Sequence, residues 1–290
     1  MLPKMSARKS RQLKISIVGA GNLATALALS LRAAGFKISE IVSRAGATSR
    51  GRGRRLARRV RARATVVGDS DVCADVVWLC VPDREIGPCA KSLAALDWRG
   101  KIAFHSSGAL SSDELASLRR RGARVASVHP MMTFVARVTP SLRAVGFAVE
   151  GDREAVAAAR KMVAALGGKS FVIAKNKKAL YHAWGTLASP LLTALLAISE
   201  RVAESSGIPQ GGGKRWMLPI VRQTIENYAK RGLAQGFSGP IVRGDAAIVR
   251  KHLRALKAVP AARAVYLALA RSALHTLPAR NRKQLRTVLG

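Results

Sequence analysis

The chain has 290 residues, enough for one large domain or two ordinary ones, each with an adequate core. Its composition is 49% apolar but only 4% aromatic, and 50 Lys and Arg against 16 Asp and Glu leave a formal charge of +34. Three cysteines, Cys73, Cys80 and Cys89, are too few and wrongly spaced for a zinc site or a disulfide framework, so no metal is expected. The charge attracts phosphorylated ligands and nucleic acid alike. The basic residues are scattered along the whole chain, however, with few aromatics among them to stack bases, which argues against a nucleic-acid partner. No apolar run is expected to reach the length that spans a bilayer, and no signal-peptide core follows the basic start. Residues 1–12 are therefore read as a basic disordered tail on a cytoplasmic protein that has no membrane partner.

Residues 14–34, KISIVGAGNLATALALSLRAA, carry the first chemical signal. A β-prone stretch through Val18 meets Gly19-Ala20-Gly21, and a helical pattern begins at once. Gly19, Gly21 and Ala24 occupy the three positions of the G-x-G-x-x-G/A dinucleotide fingerprint. The first permits the tight turn, the second lets the backbone approach a pyrophosphate, and the third lets the helix lie close on the strand. Free N–H groups at the helix start, around Asn22 and Leu23, face the phosphates.

Lys37 to Ser43 reads as the next strand and ends in Ser43-Arg44, where an NAD-specific site usually has Asp or Glu. A hydroxyl and a guanidinium suit a 2′-phosphate instead, which predicts NADP. The apolar run Ala74 to Val81 suits a central parallel strand and ends in Pro82, so Val81 and Pro82 are expected at the cofactor. The next two strands each release a histidine at the ligand-binding edge: His105 before Ser106, Ser107 and Gly108, and His129 before Pro130. His105 is expected to touch the cofactor. Ser106 and Ser107 are expected to hydrogen-bond substrate, with His129 a partner behind them. Strands over 145–150 and 169–173 complete a mostly parallel sheet spanning residues 13–174.

From Lys175 to the end the pattern changes to alanine- and leucine-rich helices, which predicts an all-helical domain for substrate and dimerisation over 175–290. Lys178, His182, Thr186 and Ser189 follow at i, i+4, i+8 and i+11, so they share one face of an apolar helix that Pro190 is expected to kink. A buried cation beside an imidazole needs an anionic or hydrogen-bonding partner. Arg243 either pairs with Asp245 or holds a substrate carboxylate.

The motifs IVGAGNLA, CVPD, HSSGAL, HPMMTF, KALYHA and GPIVRGDAAIVRKHLRAL together resemble the Rossmann-like proteins carrying the domain of unknown function 2520. These are distant relatives of pyrroline-5-carboxylate reductase, ketopantoate reductase and the β-hydroxyacid dehydrogenases. The resemblance covers about residues 14–256 and implies an NADP-binding domain followed by a helical domain that commonly dimerises. In β-hydroxyacid dehydrogenases a Lys and an Asn four residues later carry catalysis and substrate binding. Lys178 and His182 match that spacing, with His in place of Asn. The expectation is an NADPH-dependent reductase of a small C=O or C=N compound, acting as a homodimer. Lys178 and His182 would be its acid and orienting group, and Thr186 and Arg243 would lie toward the substrate. The alternative is an NADP-binding sensor or scaffold without catalysis.

Overall fold

The computed structural model describes residues 13–290; the tail expected over residues 1–12 lies outside the described residues. The chain divides into two compact units, one ending at Thr186 and the other spanning Leu187–Gly290. The division falls later than the change of sequence pattern at Ala174, because the first turns of the following helix bury Lys178 and Tyr181 within the first unit.

The first unit is built on one eight-stranded sheet. Its strands are β1 (Lys14–Val18), β2 (Lys37–Ser43), β3 (Arg63–Val66), β4 (Val76–Leu79), β5 (Ile102–His105), β6 (Arg124–Pro130), β7 (Gly146–Gly151) and β8 (Lys169–Val172). They lie in the order β3-β2-β1-β4-β5-β6-β7-β8. The first six are parallel, β7 runs antiparallel to β6, and β8 is parallel to β7. The order reverses between β1 and β4, which opens the crevice that ligands use in such sheets.

Strand alternation assigns side chains to the two faces. Ile15, Ile17, Val76 and Trp78 enter a core under α1 (Asn22–Ala33) and α2 (Ala47–Val60). Val18, Val77 and Leu79 enter the opposite core under α3 (Asp83–Leu93) and α4 (Ala116–Arg119). A further helix, α5 (Arg153–Ala165), joins the first core through Met162 and Val163. All four residues of β4 are buried, as a central strand covered on both faces requires. Gly35, at φ +88°, takes the left-handed position that ends α1. Asp83 opens α3 as its first helical residue and makes no capping bond, so it acts on the helix start through charge alone.

The long helix expected from Lys178 is two helices, α6 (Lys178–Ala188) and α7 (Pro190–Ser205). Ser189 leaves the helical region at φ −130°, ψ −78°, and Pro190 starts α7, where its missing N–H costs nothing. The break is complete where a kink was expected. The run Lys175–Ser205 also corrects the expectation on membrane length: by length and composition it could cross a bilayer, with mean hydropathy 1.2. Its first turn nevertheless holds a lysine buried against the sheet.

The second unit continues with α8 (Gly212–Gly236), α9 (Pro240–Arg243), α10 (Ala246–Ala255), α11 (Pro260–Thr276) and α12 (Arg282–Leu289). Its own core joins α10, α11 and α12 through Val249, Leu253, Leu274, Leu285 and Leu289. By contrast α7 buries no residue and α8 only Gly213, while Trp216, Ile220, Tyr228 and Leu233 stay more than half exposed.

Candidate active site

The carboxyl ends of β1, β2 and β4 surround a cavity of about 440 Å³. Gly19, Gly21, Ser43, Arg44, Val81 and Pro82 line it, joined by Thr48, Ser49 and Arg52 of α2. Gly19 has φ +114°, and a Cβ there would stand 2.3 Å from the Cys80 carbonyl oxygen, so only glycine lets β1 turn against β4. Gly21 immediately precedes α1, and no atom lies within 4 Å of the place its Cβ would take. The free N–H groups at the start of α1 follow directly, a setting suited to a phosphate. Ala24 is fully buried, as the third position of the fingerprint needs.

Other expected cofactor residues act indirectly. Asn22 Nδ2 donates to the Phe134 carbonyl at 3.2 Å, tying the loop after β6 to the start of α1, and Leu23 packs on the core. The Ser43 hydroxyl donates to the Thr65 carbonyl at 3.3 Å, while Arg44 is exposed and has no ion pair among the described residues. Glu40, 1% exposed, accepts from Ser16, Ser70 and Thr65 hydroxyls and from Arg63, so it is fully engaged within the sheet. The one carboxylate lining the cavity is Glu85 of α3. Arg44, Thr48, Ser49 and Arg52 thus offer cationic and hydroxyl groups where a dinucleotide with a 2′-phosphate places its extra charge.

A second group of residues gathers at the ends of β5 and β6. Lys178, the first residue of α6, is 1% exposed. Its Nζ donates to the Ser107 carbonyl at 2.8 Å and to Ser127 Oγ at 2.5 Å, and Ser127 Oγ donates in turn to the same carbonyl at 3.1 Å. One of the three ammonium donors is left over. Burial lowers this lysine from 10.5 to about 8, while Glu150 and Asp83 oppose the shift. The cause is loss of water, with the nearby carboxylates acting against it. His129 Nδ1 lies 2.7 Å from the Tyr181 hydroxyl, and the His182 ring stands 6.1 Å from that of His129. Both rings close over Gly108, where a Cβ would meet His182 Cδ2 at 2.6 Å and His129 Nε2 at 2.9 Å. Burial first, then Lys178 and His182, push His129 down to about 4, so its imidazole is neutral at pH 7. The two groups adjoin through Ser106, which accepts from Trp78 Nε1 at 2.8 Å and hydrogen-bonds Cys80, whose thiol burial pushes up.

Residues 2–130 match the model of a Rossmann-like domain, and residues 145–273 match that of the domain of unknown function 2520. The chain carries both domains in that order. No curated protein matches it. Among solved structures, protein TM1727 of Thermotoga maritima is 26% identical, with 95% of this chain and 98% of that one covered and a TM-score of 0.70. BF3122 of Bacteroides fragilis, provisionally an NADP oxidoreductase, is 22% identical over 90% and 97%, with a TM-score of 0.73. The reductive aminase of Aspergillus terreus, in complex with NADPH and ethyl-5-oxohexanoate, is 16% identical over 96% and 99%, with a TM-score of 0.63. The likeness is one of fold.

Within the Rossmann-like domain, some residues expected at the ligand serve the protein instead. His105 is fully buried: Nε2–H donates to the Ser111 carbonyl at 3.0 Å, and Nδ1 accepts from the Ser107 N–H at 3.1 Å. Both nitrogens are used, burial drives the group down to about 3, and it does not line the cavity. The Ser107 hydroxyl caps its own turn by accepting from the N–H groups of Ala109 and Leu110, so it is the carbonyl of Ser107 that serves Lys178. Thr186 Oγ1 donates back to the His182 carbonyl at 3.0 Å. In the second unit, Arg243 Nε pairs with Asp245 at 2.9 Å. Three participants escaped the sequence reading of the site: Tyr181, Ser127 and Glu150. Tyr181 stands three residues after Lys178 on the same face, and Ser127 is a polar residue inside the apolar VASV of β6. Glu150 sits opposite Ser127 in the register of β7, where it accepts from the Ser112 N–H and hydroxyl.

Proposed function

We propose that the chain is an NADPH-dependent oxidoreductase that reduces a small C=O or C=N compound bearing a carboxylate, a keto acid or imine. The observation that carries the reading is a lysine buried on Ser107 and Ser127 in the same unit as a fingerprint cleft whose β2 end offers arginine and hydroxyls instead of a carboxylate. Gly19 and Gly21 would admit the dinucleotide, with Arg44, Thr48, Ser49 and Arg52 at its 2′-phosphate. The bound nicotinamide would supply hydride to the acceptor carbon. Charge then develops on oxygen, or a nitrogen needs a proton, and a positioned acid meets both demands.

Lys178 suits that task. Two of its donors fix the ammonium on Ser107 and Ser127, and the remaining one is free to give a proton. A group titrating near 8 is protonated at neutral pH yet gives its proton up more readily than an ordinary lysine. His182 and the neutral His129 close together over Gly108, and there they would orient the acceptor. A sensor or scaffold has no use for a cation held dry at this cost, which weighs against that alternative. Turnover of NADPH against a panel of keto acids, cyclic imines and hydroxy acids tests the reading. Tight NADPH binding with no turnover of any of them would return the chain to the sensor class.

A further inference from the structure

Tyr181 is 8% exposed, and its hydroxyl has one hydrogen-bond partner among the described residues, His129 Nδ1 at 2.7 Å. Such a contact has two proton arrangements. In one, Nδ1–H donates to the phenol oxygen, and the phenol's own proton is left without an acceptor in a largely buried place. In the other, the phenol donates to a bare Nδ1, and the one unpaired donor is the imidazole Nε2–H, which is not among the buried unsatisfied atoms of the described residues and can be reached by water or a ligand. The second arrangement wins, because an unmade hydrogen bond on a buried donor forfeits more than the bond itself is worth. The phenol also stays protonated, since burial pushes it up to about 12.

With Nδ1 bare, the one ring proton of neutral His129 sits on Nε2. That nitrogen has no partner among the described residues, is not one of their buried unsatisfied atoms, and lies against Gly108 beside the His182 ring. Tyr181 also packs edge-on against His129, with ring centroids 5.5 Å apart at 86°.

We propose that Tyr181 is a positioning residue that locks His129 as an Nε2–H donor, aimed at the heteroatom of the substrate above Gly108. His129 holds that atom through a neutral hydrogen bond while the proton itself comes from Lys178, so two donors of different charge serve one acceptor. The role given to the donor rests on the reductase reading; the tautomer and the ring orientation do not. Lys178, His182 and His105 are the other titratable groups that face this imidazole, and none supplies a carboxylate that would favour its charged form.

Long-range proton–nitrogen NMR of the full 15N-labelled chain tests the lock with neither cofactor nor substrate present. Five histidines make the assignment tractable by single substitution. Wild-type His129 is expected to show a protonated Nε2 and an Nδ1 resonance displaced by a strong hydrogen bond. In Tyr181→Phe that Nδ1 resonance should move to the position of an unbonded imine nitrogen, and the midpoint of His129 should rise. NADPH affinity should be unchanged in the same variant, while kcat falls about tenfold, the scale of one net hydrogen bond. A protonated Nδ1 in the wild type overturns the proposal whether or not the variant folds. So does an Nδ1 resonance that Tyr181→Phe leaves in place. Failure to bind NADPH at all counts against the reductase reading alone.

Discussion

Lys178→Met is the sharpest single perturbation, because stability and activity should move in different directions. The lysine is 1% exposed and titrates near 8 instead of 10.5. Holding its proton in the folded chain therefore costs about 3 kcal/mol relative to water. The unfolded chain binds that proton more tightly, so between about pH 8 and 10.5 it carries more protons than the folded one. Wild-type stability should accordingly gain about 3 kcal/mol across that window as pH rises, while below about pH 8 the full cost is present. Methionine keeps the bulk of the stem and removes the charge, but it gives up two hydrogen bonds worth about 1 kcal/mol each. At pH 7 the variant should match the wild type or exceed it by roughly 1 kcal/mol, and the advantage should reverse above about pH 9. Urea unfolding of both proteins from pH 7 to 10.5 measures the difference. Reductase turnover should drop at least about a hundredfold in the variant, as for the loss of a positioned acid. A wild-type-minus-variant stability difference that stays flat over the window would refute the desolvated lysine. Undiminished turnover would remove it from the chemistry.

The cleft yields a prediction on selectivity: NADPH should bind at least about tenfold tighter than NADH, and Arg44→Ala should erase most of that preference. Salt should weaken NADPH more than NADH, and equal affinities in the unmutated protein would sink the assignment. The second unit yields one on assembly. Trp216, Ile220, Tyr228 and Leu233 of α8 are too apolar to remain exposed, so the chain should sediment as a symmetric dimer at micromolar concentration. A monomer alone at that concentration would contradict it.

Where local pattern and tertiary role coincide, the sequence was legible. The β1–turn–α1 unit had to be read as it folds, since its glycines answer to backbone geometry and the Gly19 constraint comes from a neighbouring strand of the same sheet. Lys178 was legible because a lysine on an apolar helix face is anomalous wherever the helix packs. His105 was misread: its position at a strand end says nothing of where its ring turns, and Ser111 and the Ser107 N–H satisfy it locally. Tyr181 was passed over because an aromatic on an apolar helix looks like core, and only its approach to His129, 52 residues away, reveals the polar end at work. The break at Ser189 was underestimated for a similar reason. A proline after a helical run is compatible with a kink or a fresh start, and its neighbour's backbone decides.

Ser127 has a consequence for anyone reshaping this scaffold. It lies in the middle of β6, opposite Glu150, and its hydroxyl receives the Lys178 ammonium while leaning on the Ser107 carbonyl. The ammonium is thus held from beneath by a strand residue, and a buried carboxylate opposes the acidity that burial gives it; neither lines the cofactor cavity. On the other side, Gly108 lets the two imidazoles close in where any side chain would keep them apart. Ser127 and Glu150 can therefore be changed to retune the lysine without altering a residue that lines the cofactor cavity.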